Sequence, residues 1–276
     1  MADTATRLPE LTRATPRVVS PVRAYLLVVE GHWTWYKRNW KATVVSSVGL
    51  PVLYLLAMGL GFGSQVRPGA LTGGVSYLQY LTPALIAMAA TQSAAGEATF
   101  PVLSGFKWQK HFVGMSATPI TPVQIAGAQF VWIGFRLILS CAAFLAIAAA
   151  IGAVTSAGAL LSLLFGVMTG LAFAAPVVAF AASIKGEGVA FNPLFRFVLV
   201  PMTLFAGTFF PVSALPAVIR PIAWITPLWH GTELARGAEF GTLQPWPTVG
   251  HIAYLLALTA VGIGLSRWRF RVRLAS

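Results

Sequence analysis

Apolar residues fall in long blocks along the chain, and short polar stretches mark where each block ends. Blocks at about 42–63, 75–96, 123–151, 157–184, 189–210 and 248–265 match or approach the roughly 20 residues a helix needs to cross a hydrocarbon core. The pattern predicts an all-α polytopic membrane protein with six transmembrane helices. Pro51, Pro176 and Pro201 fall inside blocks, where neighbouring helices can satisfy the carbonyls a proline frees. Residues 211–237 read differently: they are apolar, but Pro211, Pro216, Pro221 and Pro227 interrupt them every five or six residues. No continuous span fits there. We expect a re-entrant cap, a hairpin or broken helix buried against protein, before the last helix.

Two polar stretches stand out against this background. From about Ala24 to Lys41, Leu26, Val29, Trp33, Tyr36 and Trp40 recur at helical spacing, while Glu30, Thr34, Lys37 and Lys41 take the other face. This predicts an N-terminal amphipathic interface helix lying on the bilayer; the plainer reading is a solvated lead-in to the first span. Ahead of it, residues 1–23 mix four arginines with three prolines, the composition of a mobile cytoplasmic tail, and they lack the apolar core of a signal peptide. The second stretch, about 97–122, sets Glu97, Lys107, Lys110 and His111 among Phe100, Phe106, Trp108 and Phe112. Flanked by spans, it predicts a docking surface for a partner outside the membrane.

Composition agrees with the pattern. Hydrophobic residues make up 57% of the chain and charged residues 9%, against about 25% charged in a soluble domain. A net charge of +12 would suggest nucleic acid on a soluble fold, but here the basic residues crowd one set of boundaries. With the N-terminus inside and six spans, inner segments hold fourteen Lys and Arg and outer segments three. That asymmetry places both termini in the cytoplasm. It removes the case for nucleic-acid binding. Cys141 is the single cysteine, so no intrachain disulfide forms.

No catalytic constellation is visible. No two histidines share a metal-ligand spacing, and neither GxSxG nor a P-loop motif occurs. Arg136 is the most unusual residue, a cation near the middle of the third span. Gln129 and Ser140 share its face at i−7 and i+4. This stripe either lines a polar pathway, with Arg136 switching against a carboxylate such as Glu97, or fixes helix packing. Asn192 and Arg196, four apart at the start of the fifth block, either pair or leave Arg196 to snorkel to the interface. Phe205, Phe209, Phe210, Trp224 and Trp229 suit either stacking on a sugar or amphiphile or an ordinary interfacial aromatic belt. His230, Glu233 and Arg236 complete the polar set of the cap.

Phe106–His111 (FKWQKH), Gly114–Pro122 (GMSATPITP), Pro201–Pro216 (PMTLFAGTFFPVSALP) and Ile225–Gly237 (ITPLWHGTELARG) together resemble the permease subunit of bacterial ABC exporters of the type-2 family. The similarity covers about residues 24–270 and leans to the branch exporting lipo-oligosaccharides, polysaccharides and some drugs. It implies a multi-pass subunit of the bacterial cell membrane that pairs with a second permease copy, identical or not, and with two copies of a cytoplasmic ATPase. ATP and Mg would then sit on the ATPase, and this chain would bind no cofactor. About Phe100–Met115 would act as the coupling helix, with Glu97, Phe106, Lys107, Trp108, Lys110 and His111 at the contact. The Lys185–Gly188 loop, through Lys185 and Glu187, would make a second contact. The interface helix would transmit ATPase closure to spans one and two. Spans one and five would border the pathway, and the cap would close it from outside. A secondary transporter or channel without an ATPase, and a membrane transferase, are the alternatives. The first lacks midplane carboxylates and an inverted repeat here, and the second lacks an acid–base cluster.

Overall fold

The computed structural model describes residues 20–66, 69, 72 and 74–275, and among them there is helix and no strand. The expected tail up to residue 19, and Arg67 in the first loop, lie outside the described residues.

The first helix, α1 (Pro21–Tyr54), opens with a proline, which costs no hydrogen bond in a first turn. It runs on as a π-helical turn over Leu55–Gly61 and a 3₁₀ turn over Phe62–Gln65. The separate interface helix expected at 24–41 and the span expected from 42 are therefore one helix. No proline stands between Pro21 and Pro51, so nothing in the sequence stops it near residue 41. Its N-terminal half packs lengthwise on a later helix, α5 (Pro122–Ala150). Tyr25 lies against Gly127, where a Cβ would stand 2.8 Å from the phenol ring. His32 stacks on Trp132 at 5.3 Å between ring centres, and Tyr36 meets the same indole at 5.9 Å. Ala24, Val28 and Tyr36 form the buried face. Leu26, Trp33 and Trp40 of the predicted stripe stay exposed, Val29 is half-buried, and Tyr36 leaves the stripe for the protein interior.

The centre of the bundle is α2 (Tyr77–Ala98), buried along nearly its whole length. Ser76 and Gln79 cap it reciprocally, each side chain bonded to the other's backbone N–H at 3.3 Å. Two short helices follow, α3 (Phe100–Phe106) and α4 (His111–Ser116). Thr121 and Gln124 then form the same kind of box, with Pro122 in the first turn, and start α5. The next helix, α6 (Ala159–Ser183), crosses α2 closely: a Cβ on Gly170 would lie 3.0 Å from the Ala90 carbonyl oxygen.

The fifth apolar block gives α7 (Phe191–Pro193), a π-helical turn over Leu194–Leu199, and α8 (Val200–Phe205). It ends five residues short of the expected span, because Gly207 turns the chain at φ 86°. The cap is two helices, α9 (Arg220–Trp224) and α10 (Pro227–Phe240). Thr226 caps the second through the Trp229 N–H, and α10 is largely buried against protein. It ends on Gly241 at φ 66°.

The last helix, α11 (Pro245–Leu274), is longer than the span expected at 248–265. Arg267, Arg269, Arg271 and Arg273 are thus helical and not a loose tail. Phe270 is fully buried, and Arg273 donates to the carbonyls of Ala181 and Ala182 at the end of α6. Among the described residues, α5, α6 and α11 are long and apolar enough to cross a membrane; at 1.5 Å per residue, 25 to 30 residues reach about 37–45 Å. The first and fifth blocks supply shorter apolar runs, Gly49–Gly61 and Phe191–Phe205. The chain is a helical membrane protein.

Candidate functional site

The 97–122 interruption folds as a helical hairpin, α3 and α4, at one end of the bundle. Lys110 enters the turn between them in the left-handed region, φ 52°. A non-glycine residue held there is strained by roughly 1 kcal/mol or more. Gly105 lets the two arms close: a Cβ on it would stand 2.4 Å from the Phe112 ring.

The hairpin divides its aromatics into two sets. Phe106 and Phe112 point inward and pack on Phe270 of α11, with ring centres 4.7 and 5.2 Å away, and the Arg273 guanidinium covers the Phe106 ring at 4.3 Å. Phe106 is 6% exposed. It is a core residue, contrary to its expected place at a partner contact. Trp108, 47% exposed, faces out together with Phe100, Gln109, Lys110 and Val113.

The two expected contacts meet. Lys107 Nζ pairs with Glu187 Oε1 across the gap between hairpin and loop, and Trp108 Nε1 donates to Glu187 Oε2 at 3.1 Å. These bonds hold the exposed Glu187 carboxyl below the usual carboxylate range, with the Lys107 bond the main cause. Phe100 bridges both parts, parallel to Trp108 at 6.5 Å and edge-on to Phe191 at 4.9 Å. Gly188, at φ 84°, fits beneath it. Lys185 is exposed beside this clamp. Hairpin and loop thus form one surface of exposed aromatics flanked by lysines.

Behind the hairpin runs a polar ladder between α2 and α5. Ser93 and Glu97 are four apart on one helix, Arg136 and Ser140 four apart on the other. Because the helices are antiparallel, the pairs match. Arg136 Nε bonds Glu97 Oε1 at 2.9 Å, and the Ser93 hydroxyl bonds that of Ser140 at 2.8 Å. Arg136, 3% exposed, also lies 4.5 Å beneath the Tyr36 ring. Next to the ladder is a cavity of ≈ 810 Å³ lined by residues from α1 to α5, among them His32, Glu97, Trp108, His111 and Gln129. Gln129 and His111 therefore share a wall with the α3–α4 hairpin, whereas Arg136 and Ser140 stand behind it.

Other expected sets are dispersed. Asn192 and Arg196 are both exposed, and no hydrogen bond joins them among the described residues; the wider π-helical turn that begins at Leu194 disrupts the regular i, i+4 spacing. Phe209 is buried against Tyr54, ring centres 5.4 Å apart, while Phe205 and Phe210 are exposed. They form no common face.

At the cap, Trp224 is exposed, and Trp229 packs edge-on against the His230 ring. His230 Nδ1 lies 2.7 Å from His251 Nδ1. Arg236 is buried, its Nη2 donating to Thr208 O at 2.9 Å and its guanidinium lying over the Tyr80 ring at 3.9 Å. It lines a second cavity of ≈ 810 Å³ with Glu233, Glu239 and His251.

Sequence reasoning passed over Gln92, Ser93 and Trp132 in the first cavity, and Phe270 and Arg273 beneath the hairpin. A signal for Ser93 was present: its spacing to Glu97 mirrors that of Arg136 to Ser140. Nothing in the local pattern marks Phe270 as a partner of Phe106.

A helical hairpin tied to the Lys185–Gly188 loop thus stands at the basic end of the bundle, and α10 of the broken α9–α10 element is buried at the other end. Residues 23–240 match the family described as ABC-2 type transporter. The chain belongs to that family. Its curated relatives include Nodulation protein J of Rhizobium meliloti (strain 1021), 28% identical over 255 residues that cover 88% of this chain and 94% of the relative. Nodulation protein J of Rhizobium leguminosarum bv. viciae is 28% identical over 253 residues, 91% of this chain and 95% of the relative. That of Neorhizobium galegae is 26% identical over 269 residues, 93% and 97%. As an ABC-2 permease the protein is a membrane subunit of a transporter whose ATPase is a separate subunit. The match takes in α1 through α10, and so both the α3–α4 hairpin and the α9–α10 element.

Proposed function

We propose that this chain is the membrane subunit of an ATP-driven exporter in a bacterial cell membrane, and that the clamped surface of α3, α4 and the Lys185–Gly188 loop docks the ATPase. Two permeases, identical or not, would assemble with two ATPases that hold ATP and Mg, this chain binding no cofactor. The cargo would be a lipid-linked glycan, a lipo-oligosaccharide or an amphiphilic drug. Both termini would be cytoplasmic, with six crossings made by α1, α2, α5, α6, the α7–α8 run and α11. The observation that carries this reading is the bonding of Lys107 and Trp108 to Glu187, which makes one surface of the two expected contacts. Exposed Phe100, Trp108 and Val113 then offer apolar anchors, and Lys110 and Lys185 offer charge for steering.

Phe270 and Arg273 pin the hairpin's inner face to α11 and α6, so a push on Trp108 reaches the bundle through packed rings. The polar ladder lies on the same path, with Glu97 just ahead of the hairpin. ATP-driven closure would act as a bias on a two-state bundle applied through these contacts. Isolation in mild detergent followed by an ATPase assay tests the docking face. An ATPase should copurify with the wild-type chain. Trp108→Ala should weaken its binding by about 30-fold, as for a buried aromatic anchor worth about 2 kcal/mol, while the permease still inserts. Unchanged ATPase binding and export in that variant would overturn the docking role.

A further inference from the structure

Sequence spacing hides a histidine pair that the fold assembles. His230 lies in the first turn of α10 and His251 in the second turn of α11. Their Nδ1 atoms face each other at 2.7 Å, across 21 residues of chain. Neighbouring groups hold both imidazoles in place. Tyr254, three residues after His251, stacks on His230 with ring centres 3.9 Å apart, and Trp229 stands edge-on to both histidines at 4.8 and 4.9 Å. The Tyr254 hydroxyl donates in turn to the Ile225 carbonyl, and the His230 ring is bonded to the backbone of Trp224. Such outer contacts orient an imidazole for the ligand its other nitrogen meets.

Two imidazole nitrogens converging on one point are a donor set for a transition metal. In the pair as it stands, one ring donates its Nδ1 proton to the other. A metal ion takes both Nδ1 lone pairs once that proton moves to the far nitrogen of its own ring, so no proton leaves the pair. Geometry chooses between ions. Neighbouring nitrogens of a square-planar Cu²⁺ site lie about 2.8 Å apart, whereas tetrahedral Zn²⁺ sets them about 3.3 Å apart. From 2.7 Å the rings need part by only about 0.1 Å for the first but about 0.6 Å for the second. Among the described residues no third His, Cys, Asp or Glu completes a closed set. Water would fill the other positions, and the ≈ 810 Å³ cavity that His251 lines with Glu233, Arg236 and Glu239 gives it room.

We propose that His230 and His251 bind a divalent transition-metal ion, Cu²⁺ in preference to Zn²⁺, and that the ion braces the cap. One ligand comes from α10 and the other from α11, so the bound ion ties the cap to the last helix. It acts on the fold and takes no part in ATP hydrolysis. The site goes beyond the transport reading and rests on neither the ATPase nor the cargo.

The test titrates Cu²⁺ into the full chain, free of any affinity tag, in lipid nanodiscs and follows it by electron paramagnetic resonance. One ion per chain should bind, with hyperfine splitting from two nitrogens. His230→Gln and His251→Gln should each abolish that splitting and weaken binding by about tenfold or more, the scale of a lost partner at a metal site. Hydrogen exchange across α10 should slow when Cu²⁺ is added to the wild type and stay unchanged in both variants. His111→Gln, at the His32–His111 ring contact, should keep the wild-type spectrum. If one of the two cap variants fails to insert, the other carries the test; if both fail, the His111→Gln spectrum decides. A wild type without the two-nitrogen signal, full binding in both cap variants, loss of the signal in His111→Gln, or tighter binding of Zn²⁺ than of Cu²⁺ would overturn the proposal.

Discussion

The two ends of the bundle handle charge in opposite ways. At the basic end, Lys107 and Trp108 hold Glu187 through side chains that lie largely at the surface. At the far end, polar side chains bind backbone in the interior. Arg236 donates to Thr208 O, Ser162 donates to Ala235 O, and Glu239 Oε1 accepts from the Thr155 and Ser156 N–H groups. A surface pair contributes little to stability and exchanges readily for a partner's groups. A buried guanidinium on carbonyls does not, since leaving either side unpaired carries the full desolvation penalty. The basic end can therefore be engaged and released without unfolding anything, while the cap is locked to α2 and α6.

The contrast breaks most visibly at Arg236. Arg236→Leu should destabilise the protein by about 3 kcal/mol, the scale of a buried charge-assisted bond and an unpaired carbonyl, read as a lowered melting temperature in detergent. A small shift there would mean the cap is no more rigid than the hairpin. The ladder gives an intermediate case. Arg136→Met should cost about 3 kcal/mol by stranding Glu97, and adding Glu97→Met should recover most of it. A double variant as unstable as the single one would show that Arg136 acts through Tyr36 and not through the carboxylate.

The smallest stability effect belongs to the clamp. Glu187→Gln should leave melting nearly unchanged yet weaken ATPase binding several-fold, and exchanging Lys107→Glu with Glu187→Lys should restore it. Because its bonds depress the Glu187 pKa, the clamp should persist through neutral and mildly acidic solution. It should open only as pH falls below the ordinary carboxylate range, which emission from Trp108 would report. Opening already near neutral pH would show that the two contacts are not tied.

Much of this was legible in order but not in depth. The apolar blocks located α2, α5, α6 and α11, and the prolines of 211–237 gave the broken cap. The interruption at 97–122 folds as the α3–α4 hairpin, and Lys185 and Glu187 of the following loop are exposed. Missed were the continuity of α1, the helical continuation of α11 through its arginines, and the inward turn of Phe106. Each miss has the same form. Trp33 and Tyr36 look alike in an aromatic stripe, yet one is exposed and the other packs on Trp132 and Arg136.

By itself, then, the sequence determined the helical membrane class, the succession of apolar and polar segments and the residues able to share a helix face. Those follow from hydrophobicity and the 3.6-residue period, which are properties of the local chain. Tertiary structure alone decided that Phe106 belongs to the core and Trp108 to the surface, that Glu187 meets Lys107, and that Ser93 and Glu97 face Ser140 and Arg136. Periodicity states which side chains point the same way. It carries no record of which neighbour, tens of residues distant, covers them.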